Sequence, residues 1–385
     1  MPSLTRRHFF QTGTALAVLG SPGLLARSAA GPAPNQGPGP RPVSFMSDGL
    51  SLSPGDYTRL LVSLEQAGKT APDSYLEGGA VEALESQMAK LLGKEKAVFM
   101  PSGTLANHLA LRRLAGGKSR VIVPAESHIY CDTLDCVQSL SQLNLIPLGE
   151  GRATYTAQEV EAACQRAVSG PFPTPVGALA IESPVRRRDG AMFDFEEMKR
   201  VAAYAKKSGL KMHLDGARLF LASAWTGRAP AEFAALFDTV YVSLYKCFNA
   251  GSGAVLAGPR DLIEQAAHDR KLFGGTILHA WTFAAVASHY LDGYLERMQS
   301  AVAVARELFE LLAKNPRFRV ESVPQGTNVY RLHVQGGGDL AAMQATLKAR
   351  GIDMPRPSRA FTGFELRVNE SLYQRRAADL ARLFA

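Results

Sequence analysis

The chain has 385 residues, 46% apolar and 20% charged, with a formal net charge of +8, which suits a globular protein with room for one large domain and a smaller one. After the N-terminal region no apolar run reaches the roughly 20 residues that span a bilayer, and no basic helix interleaved with aromatics points to nucleic acid. Cys131, Cys136, Cys164 and Cys247 show no metal-ligand spacing and are read as buried thiols, with a Cys131–Cys136 bridge open to an exported protein.

Residues 1–30 have the layout of a twin-arginine export signal. Arg6-Arg7 precede a weakly apolar run that ends on the small residues Ser28-Ala29-Ala30. Cleavage near Ala30 removes three arginines and no acid, leaving a charge of +5. Residues 31–42, GPAPNQGPGPRP, read as a flexible spacer. The expectation is a periplasmic or otherwise exported protein, cytoplasmic if the signal is not used.

A short extended stretch leads to Ser47-Asp48-Gly49, and a polar helical segment then runs to about Gly68. The next helix spans about Ala80 to Leu92: Val81, Leu84, Met88 and Leu91 recur at steps of three and four, and Gly93 caps it. A strand from Ala97 to Met100 turns through Pro101-Ser102-Gly103-Thr104 into another helix. The first-turn N–H groups and two hydroxyls there make a phosphate-sized anion site, although Ser102 or Thr104 serves equally well as an N-cap. The strand Arg120 to Pro124 leads to His128, which read alone is more often structural than catalytic.

A third strand covers Ala178 to Glu182. A helix follows from about Asp194 to Ser208, with Lys206 and Lys207 in its last turn and Gly209 beyond it. The strand LKMHLD ends on Asp215. In DTVYVSLYKCFNAGSG, residues 238–253, Val240, Val242 and Leu244 alternate with Tyr241, Ser243 and Tyr245, and the strand stops at Lys246. Ala254 to Ala257 pairs beside it. Strand and helix therefore alternate from 95 to 260, the pattern of a mostly parallel sheet covered on both faces. Helices dominate from Asp261 to Lys314. The tail adds strands at 318–323, 327–334 and 364–368 with helices between and after them, a small α+β module. The expected division is a large domain at 43–290 and a small C-terminal domain at 291–385.

Ser102, Thr104, His128, Asp215 and Lys246 all fall at strand ends, the edge where open α/β sheets bind ligands. A lysine there, stripped of its proton by burial, can form an imine with an aldehyde; a snorkelling strand-end lysine is the plainer reading. With a phosphate on the PSGT turn, Asp215 against a basic ring nitrogen and His128 flat on the ring, the set suits pyridoxal phosphate.

Four stretches, MHLDGARLF, SLYKCFNAGSGAVLAG, PSGTLANHLAL and RKLFGGTILHAW, resemble the low-specificity L-threonine aldolases. Those belong to fold type I, the aspartate-aminotransferase-like class of pyridoxal-phosphate enzymes, with the aromatic β-eliminating lyases. The resemblance runs from Ser47 to Ala385. It implies Lys246 as the Schiff-base lysine, Asp215 as partner of the ring nitrogen, and Ser102, Gly103 and Thr104 on the phosphate. It also implies His128 on the ring and near the substrate hydroxyl, and Arg218 and Arg367 at the substrate carboxylate with Ser47 beside them. Arg270 and Lys271 resemble a segment that reaches the cofactor of a neighbouring subunit, which implies a homodimer or homotetramer. The chain departs from the family pattern at Ser47-Asp48-Gly49, at Tyr75-Leu76-Glu77-Gly78-Gly79, at Glu182-Ser183-Pro184-Val185 and at His279. These positions rim the place of the substrate side chain.

The implied activity is Cα–Cβ cleavage of L-threonine-like β-hydroxy-α-amino acids to glycine and an aldehyde. A β-eliminating lyase, racemase or aminotransferase keeps the cofactor and changes the bond. A catalytically inactive envelope binding protein is the alternative of another class.

Overall fold

The computed structural model describes residues 42–384; the signal at 1–30 and all of the spacer but Pro42 lie outside the described residues. After β1 (Val43–Ser44), seven strands build the central sheet: β2 (Lys96–Met100), β3 (Arg120–Pro124), β4 (Asn144–Leu148), β5 (Val176–Glu182), β6 (Lys211–Asp215), β7 (Thr239–Ser243) and β8 (Ala254–Gly258). Their order is β2-β8-β7-β6-β5-β3-β4. The pairs β3–β4, β3–β5, β5–β6 and β6–β7 are parallel, while β8 runs antiparallel to both neighbours. The mostly parallel sheet expected of fold type I is present.

Helices cover both faces, so the inner strands are buried throughout. All of β5 and all of β7 are buried, including Thr239, Tyr241 and Ser243. The alternation seen in the sequence of β7 therefore separates two apolar layers rather than core from solvent, as expected of a central parallel strand. One layer holds Val121, Val123, Ala178 and Ala180; the other holds Ile122, Leu179, Leu214, Val240 and Val242. In the Gly79–Leu92 helix the buried residues are Ala80, Val81, Leu84, Met88, Ala89 and Leu92, and Leu91 lies on the exposed side. The step of four from Met88 reaches Leu92, so the core stripe continues there instead. Gly93 ends the helix in the left-handed conformation, at φ 62°.

The strand β4 was absent from the sequence reading. It carries Pro147, and only an edge position tolerates the missing N–H. The Ala157–Val168 helix, closed by a Thr156–Glu159 capping box, was also missed.

The C-terminal region forms an antiparallel sheet of β9 (Phe318–Ser322), β10 (Val329–Val334) and β12 (Gly363–Arg367), in the order β12-β10-β9. The strand β11 (Ile352–Asp353) pairs in parallel with β1. The start of the described chain is thus tied to its C-terminal quarter.

The outer edge of β2 is closed by side chains. The Phe99 N–H donates to the Glu85 carboxylate at 2.6 Å, and the Arg270 guanidinium donates to the Phe99 carbonyl at 2.5 Å. Both backbone groups of an edge residue are thereby satisfied without a further strand. Burial pushes the Glu85 carboxyl up to about 7, against the pull of the Phe99 N–H and Arg270. A carboxyl raised in the folded state contributes stability below its ordinary value of 4.5 that is lost as pH rises through the folded value. Glu85→Gln keeps an acceptor for Phe99 and removes the titration. In urea melts its stability relative to wild type is expected to improve steadily between pH 4.5 and 7; a difference that stays constant across that window contradicts the assignment.

Candidate active site

The strands β2, β3, β5, β6 and β7 all point the same way, and their C-terminal ends surround a cavity of about 110 Å³. Ser102, Gly103, Thr104, His128, Asp215 and Lys246 line it together, joined by Glu182 and Arg218. Seven residues singled out from the sequence, Arg218 among them, thus share one space.

The turn after β2 opens the Gly103–Leu114 helix. Ser102 adopts the extended N-cap conformation, and its Oγ accepts the Leu105 N–H at 3.2 Å. Its hydroxyl therefore caps the helix, while the N–H groups of Gly103 and Thr104 have no intrahelical acceptor at this position. A Cβ on Gly103 would lie 1.9 Å from the Tyr241 hydroxyl oxygen, so only glycine lets the turn rest on β7. That close approach of the Gly103 backbone to the Tyr241 ring, across 138 positions of chain, is invisible in the sequence.

Lys246 is not the last residue of its strand. The strand β7 stops at Ser243, and Lys246 sits in a short helical turn, Leu244–Cys247. The pairing of β7 with β8 ends at Ser243–Ala254, and the Leu244 N–H donates to the Gly253 carbonyl, which folds the chain into the turn. Gly253 has φ +106°, a value that favours glycine. Burial lowers the Lys246 ammonium below its ordinary range and Arg218 lowers it further, against Asp215, Asp48 and Glu182. Burial likewise pulls the His128 imidazole down.

Glu182 ends β5 and is 3% exposed. Its carboxylate accepts the His128 N–H at 2.6 Å and the Arg186 N–H at 2.9 Å, so it fixes the turn that carries His128. Burial first, then the Asp215 charge, pushes its carboxyl up to about 7. Asp215 Oδ2 accepts from Asn107 Nδ2 at 2.5 Å, and Oδ1 accepts the Ala217 N–H at 3.1 Å. Asn107 was not picked out from the sequence, and Glu182 entered only as a strand end and as the first residue of the Glu182-Ser183-Pro184-Val185 stretch. Asn107 stands one helical turn after Thr104, a spacing that could have drawn attention to it.

A second cavity of about 490 Å³ adjoins Lys246 and Arg218 and includes Ser47 and Asp48. The Arg218 Nε donates to Asp48 Oδ2 at 2.8 Å, and Asn328 Nδ2 donates to Asp48 Oδ1 at 3.0 Å. Burial raises the Asp48 carboxyl, but Arg218, Asn328 and Arg367 together outweigh it and hold the group low. Ser47 Oγ donates to the Gly49 carbonyl. Arg367 pairs with Glu365 and acts on Asp48 through its charge; it lines neither cavity. Arg270 is also absent from both linings; one of its guanidinium nitrogens donates to the Phe99 carbonyl, while its buried Nε has no partner among the described residues. The cysteines differ from expectation. Only Cys247 is buried, Cys131 is exposed, and all four are free thiols.

An amine, a carboxylate, an imidazole and a helix N-terminus facing one cavity is a donor set that fits pyridoxal phosphate: aldehyde, ring nitrogen, ring face and phosphate each meet a suitable group. Among the described residues no group of three or more His, Cys, Asp or Glu is placed to hold a metal.

The beta-eliminating lyase family model matches residues 64–335. The chain is 29% identical to a low-specificity L-threonine aldolase of Candida albicans, over 69% of this chain and 70% of that protein. It is 30% identical to a probable low-specificity L-threonine aldolase of Arabidopsis thaliana, over 68% and 74%. Among solved structures, a putative L-allo-threonine aldolase from Listeria monocytogenes superposes with a TM-score of 0.73 at 26% identity, covering 90% of this chain and 95% of that one. A putative aromatic amino acid beta-eliminating lyase/threonine aldolase from Exiguobacterium gives 0.72 at 25%, covering 90% and 97%. A serine palmitoyltransferase solved with pyridoxal phosphate shares the fold, at a TM-score of 0.63 and 16% identity over 89% and 86%.

Gly103→Ala is expected to push the phosphate-type turn off Tyr241. The dissociation constant for pyridoxal phosphate, read by absorbance titration, should rise about tenfold or more (~1.4 kcal/mol) with an unchanged far-UV circular dichroism spectrum. Unaltered affinity would detach this turn from the cofactor.

Proposed function

We infer that this chain, which belongs to the beta-eliminating lyase family, is a pyridoxal-phosphate-dependent carbon–carbon lyase that splits L-threonine-like β-hydroxy-α-amino acids into glycine and an aldehyde. The observation that carries the reading is the convergence of Lys246, Asp215, His128 and the Ser102–Thr104 turn on one cavity, in a chain whose curated relatives are named as threonine aldolases. Bound there, pyridoxal phosphate supplies an aldehyde that captures amines and a ring that accepts the electron pair released at Cα.

The protein supplies the rest. Lys246, lowered by burial and by Arg218, offers more free amine than an exposed lysine, and so can act as nucleophile and proton carrier. Asp215 would hold the ring nitrogen in its protonated form. Gly103 and Thr104 take the phosphate with Ser102 capping their helix. His128, held largely unprotonated by its burial, accepts the proton of the substrate β-hydroxyl as the Cα–Cβ bond opens. Arg218, braced by Asp48, takes the substrate carboxylate, with Ser47 at the edge and Arg367 behind. A guanidinium fixed on its far side by a carboxylate is oriented before substrate arrives, and would orient the Cα bonds of a bound amino acid.

The assembly belongs to the same reading: a homodimer or homotetramer, in which the segment carrying Arg270 and Lys271 approaches a neighbouring subunit's cavity. The leader belongs to it too. A twin-arginine route exports folded proteins, so the cofactor is loaded before transport to the periplasm.

Holoprotein is expected to convert L-threonine to glycine and acetaldehyde. Lys246→Ala should lose the visible absorption band and lower turnover by about a thousandfold while keeping the far-UV spectrum. The Glu182-Ser183-Pro184-Val185 turn beside His128 favours one competing reading, a β-elimination. Pyruvate and ammonia from L-serine, with no acetaldehyde from L-threonine, would establish it in place of the aldolase.

A further inference from the structure

Asp215 stands at the end of a run of buried polar side chains that the reaction above does not use. Thr239, which opens β7, is fully buried; His213 on β6 and Asn107 in the Gly103–Leu114 helix are each 1% exposed. Thr239 Oγ1 lies 2.8 Å from His213 Nδ1, and His213 Nε2 lies 2.8 Å from Asn107 Oδ1. Asn107 Nδ2 then donates to Asp215 Oδ2 at 2.5 Å.

The direction of every bond follows from that last one. The Asn107 NH₂ is committed to the carboxylate, which leaves Asn107 Oδ1 as an acceptor. His213 Nε2 must therefore carry the proton, and His213 Nδ1 accepts from the Thr239 hydroxyl. Burial pulls the His213 imidazole down to about 4, which agrees with a neutral ring bearing a single N–H. On its other oxygen Asp215 accepts the Ala217 N–H. Both oxygens are thus pinned from the protein side, and the carboxylate also lines the cavity.

A polar chain in a core is costly unless each member is satisfied, and apolar residues would fill the same volume without that risk. This one is satisfied throughout, and it terminates on the only carboxylate that the reading above sets against a ring nitrogen. We propose that Thr239, His213 and Asn107 form a one-way hydrogen-bond relay that fixes the rotation of the Asp215 carboxylate toward a cationic ring nitrogen. Asn107 and His213 are then positioning residues for the cofactor. The proposal rests on the pyridoxal-phosphate reading above. Glu182, His128 and Lys246 also act on Asp215 by charge, but they line the cavity themselves and stay unchanged in the test.

Apoprotein is titrated with pyridoxal phosphate and with its 1-deaza analogue, in which carbon replaces the ring nitrogen. Asn107→Leu is expected to weaken pyridoxal phosphate about ten- to hundredfold, and Thr239→Val about two- to tenfold, the range of one lost hydrogen bond. Thr239→Ser, which restores the hydroxyl, should return to wild type. The deaza analogue should bind all four proteins alike. Equal weakening of both ligands, or no weakening of pyridoxal phosphate, overturns the relay while leaving the cofactor reading intact. A wild type that binds neither ligand overturns the cofactor reading and the relay with it. Should Asn107→Leu fail to fold, Thr239→Val decides, being isosteric and outside the cavity lining.

Discussion

Charge compensation inside one small cavity is the condition on which this molecule depends. Lys246, Asp215, Glu182 and Arg218 all line the same space, and each would be prohibitive there alone, because burial penalises an isolated charge by several kcal/mol. Their mutual effects decide which of them stays charged. Arg218 is spoken for by Asp48. Burial first, and then the neighbouring Asp215, pushes Glu182 toward its neutral form. Lys246 is lowered by burial and by Arg218 more than the three carboxylates restore. The outcome is an amine held below its ordinary range, beside an aspartate already engaged by donors from the protein.

Sheet topology makes that gathering possible. The strands β2 and β7 run in the same direction with β8 between them, so their ends emerge on one edge about 9–10 Å apart, two strand spacings. That separation sets the helix N-terminus and the Lys246 turn on opposite sides of one small cavity. Ser252 tightens the link, its Oγ donating to the Pro101 carbonyl at 3.1 Å. The antiparallel β8 is therefore the spacer between the helix N-terminus at Gly103 and the Lys246 turn.

What the sequence disclosed and what it withheld divide along a physical line. Strands with β-branched runs, helix caps at Gly93 and Gly209, and the candidates at strand ends were all legible, because each is a local pattern with a local cause. Long-range partners were not. Gly103 reads as part of a turn, and nothing local says that Tyr241 lies beneath it. Asn107, His213 and Thr239 read as ordinary helix and strand residues until the fold aligns them. The edge strand β4 escaped because Pro147 argues against a strand anywhere but an edge, and position in a sheet is not written in a pentapeptide. Leu91 was placed in the core by counting steps of three where the helix took four.

The C-terminal sheet looks remote from the cavity, yet its flanks set the far side of Arg218. Asn328, one residue before β10, donates to the same Asp48 that braces Arg218. Asn369, just beyond β12, donates to the carbonyls of Ser44 and Ser47 at 3.0 and 2.8 Å, and the β1–β11 pairing holds the same segment from its other end. Contacts from Asn328, β11 and Asn369, all within the last sixty residues, thus fix the stretch that presents Asp48. Loosening any of them would leave Arg218 buried with a wandering counter-charge, which costs more than losing a surface ion pair because the guanidinium cannot turn to water. The C-terminal region is therefore part of the site's electrostatics, although it contributes none of the residues that line the smaller cavity.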